Sequence, residues 1–478
     1  MHTRNNKVTV VYGDGVGPEV MLSVLKILDV AKTNLEIETI ELGTRLYKHG
    51  ITSGITNDLW QIIKKNPVLL KSPTTTPLGT GCKSISVTLR RALELSINIR
   101  PFVSYYPFIS KSQYMDIIII RENEEDLHSG IEYKITQNST MALKLLSISG
   151  SEKIIQYAFE YARVNKRKKI TCITKSNILK ITDGCFRDIF FKISLKYQDI
   201  KVEHMLIDTA SIKIINNPEN FDVIVTLNLY GDIISNIIST LSSSIALIGS
   251  ANIGKKYKMF EAIHGTAPNI AGKNIANPSG LLLSAIMMLH YLKKNNAARM
   301  IYYAWLKTIE EGFHTADIFH QTKSKEKLST SDFTEAVIDN FNKKPKVVNT
   351  KYSLMASKRI TTQKTLNTNE ESHIIGTDIF IKTKLNSNLI NKLEALNNIL
   401  KLHIISSKGL LIWPKILISS EMDFYRFRFL KAKKEYIVHQ KTILTLYKKM
   451  IDLNLNVLSI INLCSYDGKV GFSLAQGE

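Results

Sequence analysis

The sequence has few cysteines, and none of them forms a paired spacing. The four are Cys82, Cys172, Cys185 and Cys464, which lie far apart in a chain of 478 residues. A disulfide framework or a zinc site needs closely and regularly spaced cysteines, so neither is predicted and free thiols are expected. Reduced thiols are typical of the cytoplasm, which is the expected location.

A long apolar run is also missing. The most apolar stretch, 281–292, contains Ser284 and His290 and is shorter than a membrane span. The chain enters the strand-like segment 8–11 without an apolar signal segment before it. The sequence therefore predicts neither a membrane helix nor a secretory leader, and 281–292 is expected to form a buried or interface helix.

Negative charge is in short supply, with 42 Asp and Glu residues against 63 Lys and Arg residues and a formal net charge of +21. Such a charge is compatible with nucleic-acid binding. The lysines, however, are dispersed among Ile and Asn, which indicates a coding bias, and no compact basic stripe contains interleaved aromatic residues. An anionic small substrate accounts better for part of the charge, so no nucleic-acid partner is expected.

The first three hundred or so residues alternate strand-like and helix-like patterns. Strand-like runs include 7–12, 116–121 and 221–227, and amphipathic helical patterns include 152–164 and 299–311. This alternation predicts an α/β architecture. Because 478 residues are too many for one ordinary core, two or three domains are expected.

The character of the sequence changes after about Lys343. Residues 361–373 are polar and aperiodic, as a linker is. Beyond them the pattern predicts a strand, a helix at 389–400, two strands, a second helix and a last strand, which is the order of a small two-layer α+β module. No catalytic cluster occurs there, so packing and oligomerisation are its expected roles.

One segment combines a buried strand, a turn and the start of a helix. Residues 222–227 have an apolar strand pattern, and 228–236 follow as a helix. Asp232 and Asn236 are four residues apart and therefore share a helix face. A carboxylate and an amide oxygen together suit a hard divalent cation. Taken alone, a capped surface helix is the more frequent explanation of the same pattern.

The turn Gly13-Asp-Gly15-Val-Gly17 resembles the dinucleotide-binding fingerprint, but its third glycine is in the wrong place. No acidic residue ends a matching second strand either. A tight strand-to-helix turn is the better interpretation, and a Rossmann fold is not predicted.

Three arginines lie at the ends of predicted elements. Arg90 follows Ser86 by one helical turn, on a helix that starts near Ser84. Arg100 lies in the next strand, and Arg121 directly follows a run of four isoleucines. Converging guanidinium groups bind carboxylates as planar forks. Three unrelated surface arginines are the alternative, which the apolar context of Arg121 disfavours.

Lys175 also ends an apolar strand pattern, at 170–174. A desolvated lysine in that position is a candidate acid or base. A solvated lysine at the end of a strand is the more common case.

Together these motifs resemble the β-decarboxylating dehydrogenases, the isocitrate/isopropylmalate dehydrogenase family. Their order and spacing match over about 5–340, and the resemblance is strongest to isocitrate dehydrogenases of the bacterial type, which carry a C-terminal extension. The matching segments are 13–19, 71–73, 84–90, Arg100, 121–126, 175–177, 228–232 and 261–268.

The resemblance implies a fold that is not a Rossmann fold, in which a large and a small α/β domain share a cleft within an obligate homodimer. A dimer clasp is expected near 127–148, and the C-terminal domain is a candidate contact for a higher oligomer. In chain order the expected parts are large domain 1–95, small domain 96–242, large domain 243–342, linker 343–373 and C-terminal α+β domain 374–478.

The implied reaction is oxidation of a 2-hydroxy acid by hydride transfer to NAD(P), followed by loss of the β-carboxyl as carbon dioxide. Isocitrate is the expected substrate, as in the tricarboxylic acid cycle. Arg90, Arg100 and Arg121 would clamp its carboxylates. Ser84 would bond the carboxylate that distinguishes isocitrate from isopropylmalate, and Ser86 would lie beside the substrate.

The resemblance also implies a shared site and a metal ion. The partner subunit's Lys175 would assist removal of the hydroxyl proton. Mg²⁺ or Mn²⁺ would polarise the forming carbonyl and stabilise the enolate. The implied metal ligands are Asp232, Asn236 and the partner subunit's Asp208.

For the cofactor, the pair Asn269-Ile270 is the most informative. In the family, Lys-Tyr at these positions accompanies NADP and Asp-Ile accompanies NAD. Asn-Ile supplies no cation for a 2′-phosphate, which favours NAD, but Asn does not repel that phosphate as Asp would, so NADP stays open. The implied cofactor residues are Lys71, Thr76, His264, Gly265, Thr266, Ala267, Asn269, Ile270 and Asn277.

Three positions depart from the family pattern. His128 stands where the family has the tyrosine that protonates the enol, Asn236 replaces a metal-binding aspartate, and Ser86 replaces an asparagine. A histidine can donate a proton near neutral pH, but it is shorter than tyrosine. The lost carboxylate weakens cation binding.

Two hypotheses follow from these departures. The first is a working NAD-linked isocitrate dehydrogenase, which is favoured because Lys175, Asp208, Asp232 and the three arginines are all retained. The second is a catalytically weakened or non-catalytic homologue that acts as a regulatory or structural subunit.

Overall fold

The computed structural model describes residues 6–51, 53–76, 84–109, 114–346, 371–414 and 423–478. Cys82 and positions 347–370 of the expected linker lie outside these ranges. The described residues fall into two compact units. The first unit draws on Met1–Ser129, Leu145–Ile178 and Thr182–Gln363, and the second on Gly130–Lys144, Leu179–Ile181 and Lys364–Glu478.

The first unit is built around a large mixed sheet. In the described part of the chain, ten strands form it in the order β2-β1-β3-β12-β11-β4-β5-β10-β8-β9. In chain order the strands of the first unit are β1 (Lys7–Val11), β2 (Glu36–Ile40), β3 (Val68–Lys71), β4 (Ile97–Val103), β5 (Asp116–Glu122), β8 (Lys169–Thr174), β9 (Lys201–Leu206), β10 (Val223–Thr226), β11 (Gly249–Ile253), β12 (Lys258–Ala262), β13 (Phe313–His314) and β14 (Glu326–Lys327). Two short strands between β5 and β8, β6 (Glu132–Lys134) and β7 (Thr140–Ala142), form a hairpin that belongs to the second unit.

Strand direction changes in the middle of this sheet. β4 pairs antiparallel with β5 and with β11, and β11 pairs antiparallel with β12. The strands on either side, β2-β1-β3-β12 and β5-β10-β8-β9, run parallel to their neighbours. An antiparallel centre between two parallel halves is not a Rossmann sheet, as the sequence predicts.

Helices connect the parallel strands, as the alternating sequence pattern predicts. The helices of this region are α1 (Gly17–Val30), α2 (Thr44–Lys48), α3 (Asn57–Lys65), α4 (Ile85–Ala92), α5 (Ile148–Val164), α6 (Thr182–Ser194), α7 (Ile207–Asn216), α8 (Asn228–Leu241), α9 (Ser279–Tyr291), α10 (Asn295–Glu310) and α11 (Thr330–Asp339), with short 3₁₀ turns at Leu127–Ser129, Pro218–Asn220 and Ile245–Leu247.

β5 is buried on both of its faces. Ile117 and Ile119 belong to an apolar core that also contains residues of α1, α9 and α10. Ile118 and Ile120 belong to a second core, with residues of α5 and α6. Side chains of a strand alternate between its faces, so the isoleucine run carries Arg121 into the interior.

The predicted buried helix at 281–292 is α9, and nearly all of its residues are buried. The Ser284 hydroxyl donates to the Gly280 carbonyl at 2.8 Å and accepts from the Ser250 amide at 3.1 Å, so this buried polar group is satisfied. α9 packs against β11 and β12. It thereby fixes the strand that ends in Glu261-Ala262.

The loop between β1 and α1 is the tight strand-to-helix turn expected from its glycines. Gly13 and Gly15 have φ values of 69° and 62°, in the left-handed region. A Cβ atom on Gly15 would lie 2.0 Å from the Thr266 carbonyl oxygen. Glycine is therefore required for the close approach of this turn to the loop after β12.

The second unit is an antiparallel sheet with two helices. In the described residues six strands form it in the order β17-β16-β18-β15-β19-β20. Its elements are β15 (Ser372–Lys382), α12 (Ser387–Glu394), β16 (Leu400–Ser407), β17 (Leu410–Trp413), β18 (Tyr425–Lys431), α13 (Gln440–Asp452), β19 (Asn456–Tyr466) and β20 (Lys469–Val470). Residues of both helices share one apolar core with the sheet, which confirms the predicted α+β domain.

One element of this unit is shorter than predicted. The sequence pattern predicts a helix at 389–400, but α12 ends at Glu394 and Leu400 begins β16. The Asn397 side-chain oxygen accepts hydrogen bonds from the amides of Ile399 and Leu400. This turn redirects the chain into the strand.

A buried arginine cross-links the second unit. Arg428 donates to the two carboxylate oxygens of Asp378, each at 2.8 Å, and its Nη1 donates to Glu478 at 2.9 Å. Its guanidinium lies 4.4 Å from the centre of the Phe472 ring. Two carboxylates compensate the buried cation and hold 472–478 to the sheet.

The expected clasp segment is divided between the two units. The hairpin β6–β7 belongs to the second unit, whereas 127–129 and 145–148 belong to the first. Within the second unit, the Ser139 hydroxyl in the turn of this hairpin donates to Asp423 at 3.0 Å, and the Thr136 hydroxyl donates to the same carboxylate. One aspartate therefore fixes the tip of the hairpin.

Cys172, Cys185 and Cys464 are free thiols. Among the described residues, no helix has both the length and the apolar character needed to cross a membrane.

Candidate active site

A polar cleft of about 270 Å³ lies in the first unit. Its walls come from the ends of β3, β5 and β12, from α4, and from the first turns of α8. The cleft contains ten residues predicted from the sequence, which are Lys71, Ser84, Ser86, Arg90, Arg100, Arg121, His128, Asp232, His264 and Gly265.

Arg121 is buried in the wall of the cleft, with 1% of its surface exposed. Its Nε and Nη2 donate to Asn228 Oδ1 at 3.1 and 2.7 Å, and its Nη1 donates to Asp232 Oδ1 at 2.5 Å. A Cβ atom at Gly231 would lie 2.6 Å from Arg121 Cγ. The motif Asn228-Leu-Tyr-Gly-Asp232 therefore forms a seat for one guanidinium group.

Asp232 is shared between two arginines. Arg100, on the neighbouring strand β4, donates from Nη1 to Asp232 Oδ1 at 3.3 Å. Burial raises the pKa of Asp232, but the guanidinium groups of Arg121 and Arg100 outweigh it and hold the pKa below its ordinary value. Asp232 is therefore ionised. Both arginines contact Oδ1, and within the described residues Oδ2 has no hydrogen-bond partner.

A second ion cluster is centred on Glu261. β3 and β12 pair in parallel and place Lys71 beside it. Lys71 Nζ lies 3.1 Å from one Glu261 oxygen, and Arg90 Nη2 lies 3.1 Å from the other. Burial raises the pKa of Glu261, but Lys71 and Arg90 lower it to about 2. Burial lowers the pKa of Lys71, which Glu261 only partly offsets.

Glu261 is a site residue whose role does not follow from the sequence patterns, although it lies in the matching segment 261–268. The available signal was a carboxylate inside the apolar strand Met259-Phe-Glu-Ala-Ile263, where an unpaired charge is not expected.

His128 lies in the 3₁₀ turn after β5. Its Nε2 is 3.4 Å from Arg121 Nη2. Its Nδ1 is buried and has no hydrogen-bond partner in the described structure. Burial lowers the pKa of His128, and the positive charge of Arg121 lowers it further. The imidazole is therefore neutral at pH 7.

The cleft carries a surplus of positive charge. Lys71 and the three arginines face two carboxylates, those of Asp232 and Glu261. Ser84 caps the N-terminus of α4, where its oxygen accepts from the Val87 amide at 3.5 Å and its hydroxyl proton stays available. An enclosed surface of this kind favours a ligand with several carboxylates.

Lys175 and Asp208 do not line this cleft in the chain. Lys175 follows β8, Asp208 lies in the first turn of α7, and Nζ contacts Oδ1 at 2.9 Å. The hydrogen bond from Lys175 lowers the pKa of Asp208. The two residues form an accessible ion pair, with side-chain exposures of 29% and 59%.

The expected metal ligands are only partly assembled. Asp232 and the exposed Asn236 lie one turn apart on α8. Among the described residues, no three His, Cys, Asp or Glu side chains converge as metal ligands. An ionised Asp232 with a free Oδ2 fits a divalent cation as one ligand, and further oxygen donors are needed to complete the set.

The expected cofactor residues lie mainly in the loop after β12. The Thr266 carbonyl accepts from the Val16 amide at 2.9 Å, and its hydroxyl accepts from Thr75 at 3.2 Å. Ala267 has a φ of 38°, Asn269 is exposed and Ile270 is half-buried. This loop is therefore held against the β1–α1 turn, next to His264 and Gly265 in the cleft.

Besides Lys71 on β3, two expected cofactor residues lie apart from that loop. Asn277 is buried at the start of α9, where its Nδ2 donates to Asp317 at 3.1 Å and its Oδ1 accepts from the Ser279 amide at 3.0 Å. Both contacts support the chain itself. Thr76 is half-buried and is the last described residue before 77–83, which are not described.

Comparison with known families accounts for almost the whole chain. Residues 7–337 match the family described as isocitrate/isopropylmalate dehydrogenase. The chain belongs to this family. Residues 372–478 match a second family, described as the bacterial isocitrate dehydrogenase C-terminal domain.

Individual relatives match the chain over nearly their full length. A Rickettsia felis protein named isocitrate dehydrogenase [NADP] is 46% identical, with 98% of this chain and 99% of that protein covered. A Thermus thermophilus protein of the same name is 37% identical, with 98% and 96% covered. A crystal structure of a protein from Thermus thermophilus superimposes with a TM-score of 0.90 at 37% identity, covering 99% of this chain and 96% of that one.

Replacing Glu261 by Gln is expected to destabilise the dehydrogenase by about 3–5 kcal/mol at pH 7, because Lys71 stays buried without its charged partner. The pKa of Glu261 is lowered to about 2, so its contribution is present above the unfolded-state pKa and is lost as the pH falls. The difference from the wild type should therefore shrink by about 1 kcal/mol between pH 7 and pH 4. Urea unfolding of the full chain at the two pH values measures this difference in the free energy of unfolding.

Glu335→Gln is the matched control, since its ion pair with Lys26 is about half exposed. It should change the free energy of unfolding by less than about 1 kcal/mol at either pH. A penalty for Glu261→Gln that stays constant over this pH range contradicts the assigned ionisation of Glu261.

Proposed function

We propose that the chain oxidises isocitrate with a nicotinamide dinucleotide and decarboxylates it to 2-oxoglutarate, with Mg²⁺ or Mn²⁺. The main support for this proposal is a single cleft. Arg90, Arg100, Arg121 and Ser84 all line it, and it also contains an ionised Asp232. The names of the two relatives, at 46% and 37% identity over nearly the whole chain, support the same activity.

The substrate would be held by its carboxylates. The arginines are held in place before it binds, Arg90 by Glu261 and the other two by Asp232. Preorganised donors of this kind bind an anion without first having to be ordered. The Ser84 hydroxyl, whose oxygen already accepts from an amide, has its proton free for one further carboxylate.

The partner subunit's Lys175 and the partner subunit's Asp208 would complete the site in a homodimer. In this proposal Asp232 would hold the cation through Oδ2, with Asn236 and the partner subunit's Asp208 as the other ligands. The cation, when bound, would polarise the forming carbonyl and stabilise the enolate left by decarboxylation. Arg100 and Arg121 keep Asp232 ionised for this role.

Two residues would move protons. The partner subunit's Lys175 would assist removal of the substrate hydroxyl proton. His128 would protonate the enol carbon from its imidazolium form, which is a minor form at pH 7 because burial and Arg121 lower its pKa, and would return to the neutral ring. A guanidinium only donates, so His128 Nε2 faces Arg121 as an acceptor and the ring proton lies on Nδ1, which has no partner among the described residues. A donor without an acceptor is suited to a substrate that has not yet bound.

For the cofactor, the names of the relatives and the local residues point in different directions. Both relatives are named for NADP. Asn269-Ile270 supplies no cation for a 2′-phosphate, yet Asn269 is exposed and does not repel one. The proposal is therefore use of both dinucleotides with weak discrimination.

The purified protein with isocitrate, Mn²⁺ and either dinucleotide should form reduced cofactor and 2-oxoglutarate. The sharing of sites can be tested by co-expressing Lys175→Met and Arg121→Met chains, each of which should be inactive alone. The mixture should recover about one quarter of wild-type activity, because half of the dimers are mixed and each mixed dimer has one intact site.

No reduced cofactor from the wild type at high enzyme and metal concentrations contradicts the activity. If the wild type is active but the co-expressed Lys175→Met and Arg121→Met chains are not, shared sites are contradicted. In that case each site is formed within one chain, and every chain in the mixture contains one of the two substitutions. Co-expressed Lys175→Met and Asp208→Asn chains are the control, and they should not complement because both changes affect the same half of the site.

Asn269→Lys should raise the ratio of kcat/KM for NADP to that for NAD about tenfold or more, because a charge-assisted hydrogen bond to phosphate contributes about 1.5–3 kcal/mol. Asn269→Asp should lower the same ratio through repulsion. Asn296→Lys, an equal charge change at an exposed asparagine of α10, should leave it unchanged. If neither substitution at Asn269 changes the ratio of kcat/KM for NADP to that for NAD, the 2′-phosphate does not bind near Asn269.

Asn236→Asp should tighten Mn²⁺ binding about tenfold, since it adds a carboxylate to the ligand set. Calorimetric or spin-resonance titration measures this without turnover. Thr240→Asp, one turn further along α8 and also exposed, adds the same charge away from the expected ligands and should have a much smaller effect. If the wild type is already saturated by low-micromolar Mg²⁺, the expectation that Asn236 weakens cation binding is contradicted.

A further inference from the structure

Arg91 follows the substrate residue Arg90 on α4 but contacts a different part of the site. Its side chain donates to three backbone carbonyls of the loop after β5. Nη2 donates to the His128 carbonyl at 2.6 Å, Nε to the Glu124 carbonyl at 3.3 Å and Nη1 to the Ser129 carbonyl at 3.4 Å. Three hydrogen bonds from one planar guanidinium group fix both the position and the orientation of the loop.

The imidazole of His128 is not held by bonds of its own. Its Nδ1 has no partner among the described residues, and its Nε2 has one long contact with Arg121, at 3.4 Å. The place of the ring therefore depends on the backbone of Leu127–Ser129. Within the described structure, the hydrogen bond to the His128 carbonyl comes from Arg91.

Other contacts secure the beginning of this loop. The Glu122 carboxylate accepts from the amides of Glu124 and Glu125 at 2.7 and 3.0 Å. Asp126 Oδ2 accepts from the Leu229 amide at 2.8 Å. Beyond Asp126, the Ser129 amide donates to the Asp126 carbonyl at 3.1 Å and closes the 3₁₀ turn, but this bond does not involve the His128 backbone. Arg91 is thus the side chain that extends the support to the residue itself.

We propose that Arg91 is a positioning residue that places the His128 imidazole for proton donation. The proposal rests on the proposed function. It also explains how one helix serves two tasks, because Arg90 faces the ligand cleft and Arg91 holds the loop that carries the proton donor. Misplacement of a reacting group by about 1 Å can lower the rate about 100-fold.

Arg91→Met, in the full-length protein, removes the three donors and keeps much of the side-chain stem. We expect kcat to fall about 10- to 100-fold while KM for isocitrate changes little, since the substrate arginines are untouched. Arg91→Lys should recover part of kcat, because it restores a cation and one donor. Arg167→Met is the matched control: Arg167 also donates to a backbone carbonyl, that of Asp116 at 3.1 Å, at the other end of β5.

A double-mutant cycle separates positioning from a general structural effect. If Arg91 acts through His128, Arg91→Met should lower kcat in the wild type but have little further effect in a His128→Ala background. The same fold-loss in both backgrounds overturns the proposal, even if the enzyme is an isocitrate dehydrogenase. A rise in KM that accounts for the whole loss in kcat/KM overturns it as well.

A second measurement is independent of turnover. In protein labelled at its histidine rings, the His128 resonances, assigned with His128→Ala, should shift in Arg91→Met and stay in place in Arg167→Met. An inactive wild type combined with this shift rejects the proposed function but keeps the structural role of Arg91. Unshifted His128 resonances in a folded Arg91→Met protein overturn the positioning role.

Discussion

The buried guanidinium of Arg121 is the interaction on which the cleft depends. An isoleucine strand packed on both faces delivers this cation to the interior, where an uncompensated charge costs several kcal/mol. The first turns of α8 compensate it through Asn228 and Asp232, and Gly231 gives the side chain room. These contacts tie the first turns of α8 to Arg121 and hold Asp232 beside it. The position of any ligand that binds to Asp232 therefore depends on these contacts.

The two carboxylates of the cleft, Glu261 and Asp232, have different roles. Glu261 is enclosed by Lys71 and Arg90 and uses both of its oxygens on them. Asp232 is partly exposed and uses a single oxygen on its two arginines. The first therefore stabilises the wall, whereas the second keeps coordinating capacity. Together they fix four cations before an anionic ligand arrives, so little ordering remains to be done on binding.

Local patterns predicted much of the fold, because strands and helices here follow their own periodicities. The burial of Arg121 could be inferred from its isoleucine run, and α9 from its continuous apolar stretch. The role of Glu261 could not, because its partner Lys71 is 190 residues away and meets it only through the pairing of β3 with β12. The support that Arg91 gives to His128 was hidden for a similar reason, since 37 residues separate them. The end of α12 was misplaced because the turn at Asn397 looks helical in its apolar spacing.

The departures from the family pattern at His128 and Asn236 differ in their physical setting. His128 lies in a loop fixed from several sides, so a shorter side chain can still have a defined position, provided that the backbone beneath it is held. Asn236 is exposed on α8, and no hydrogen bond of its side chain occurs within the described residues. Compensation for the first departure is therefore present in the chain itself. For the second, the proposed function relies on the carboxylate that it assigns to the partner subunit.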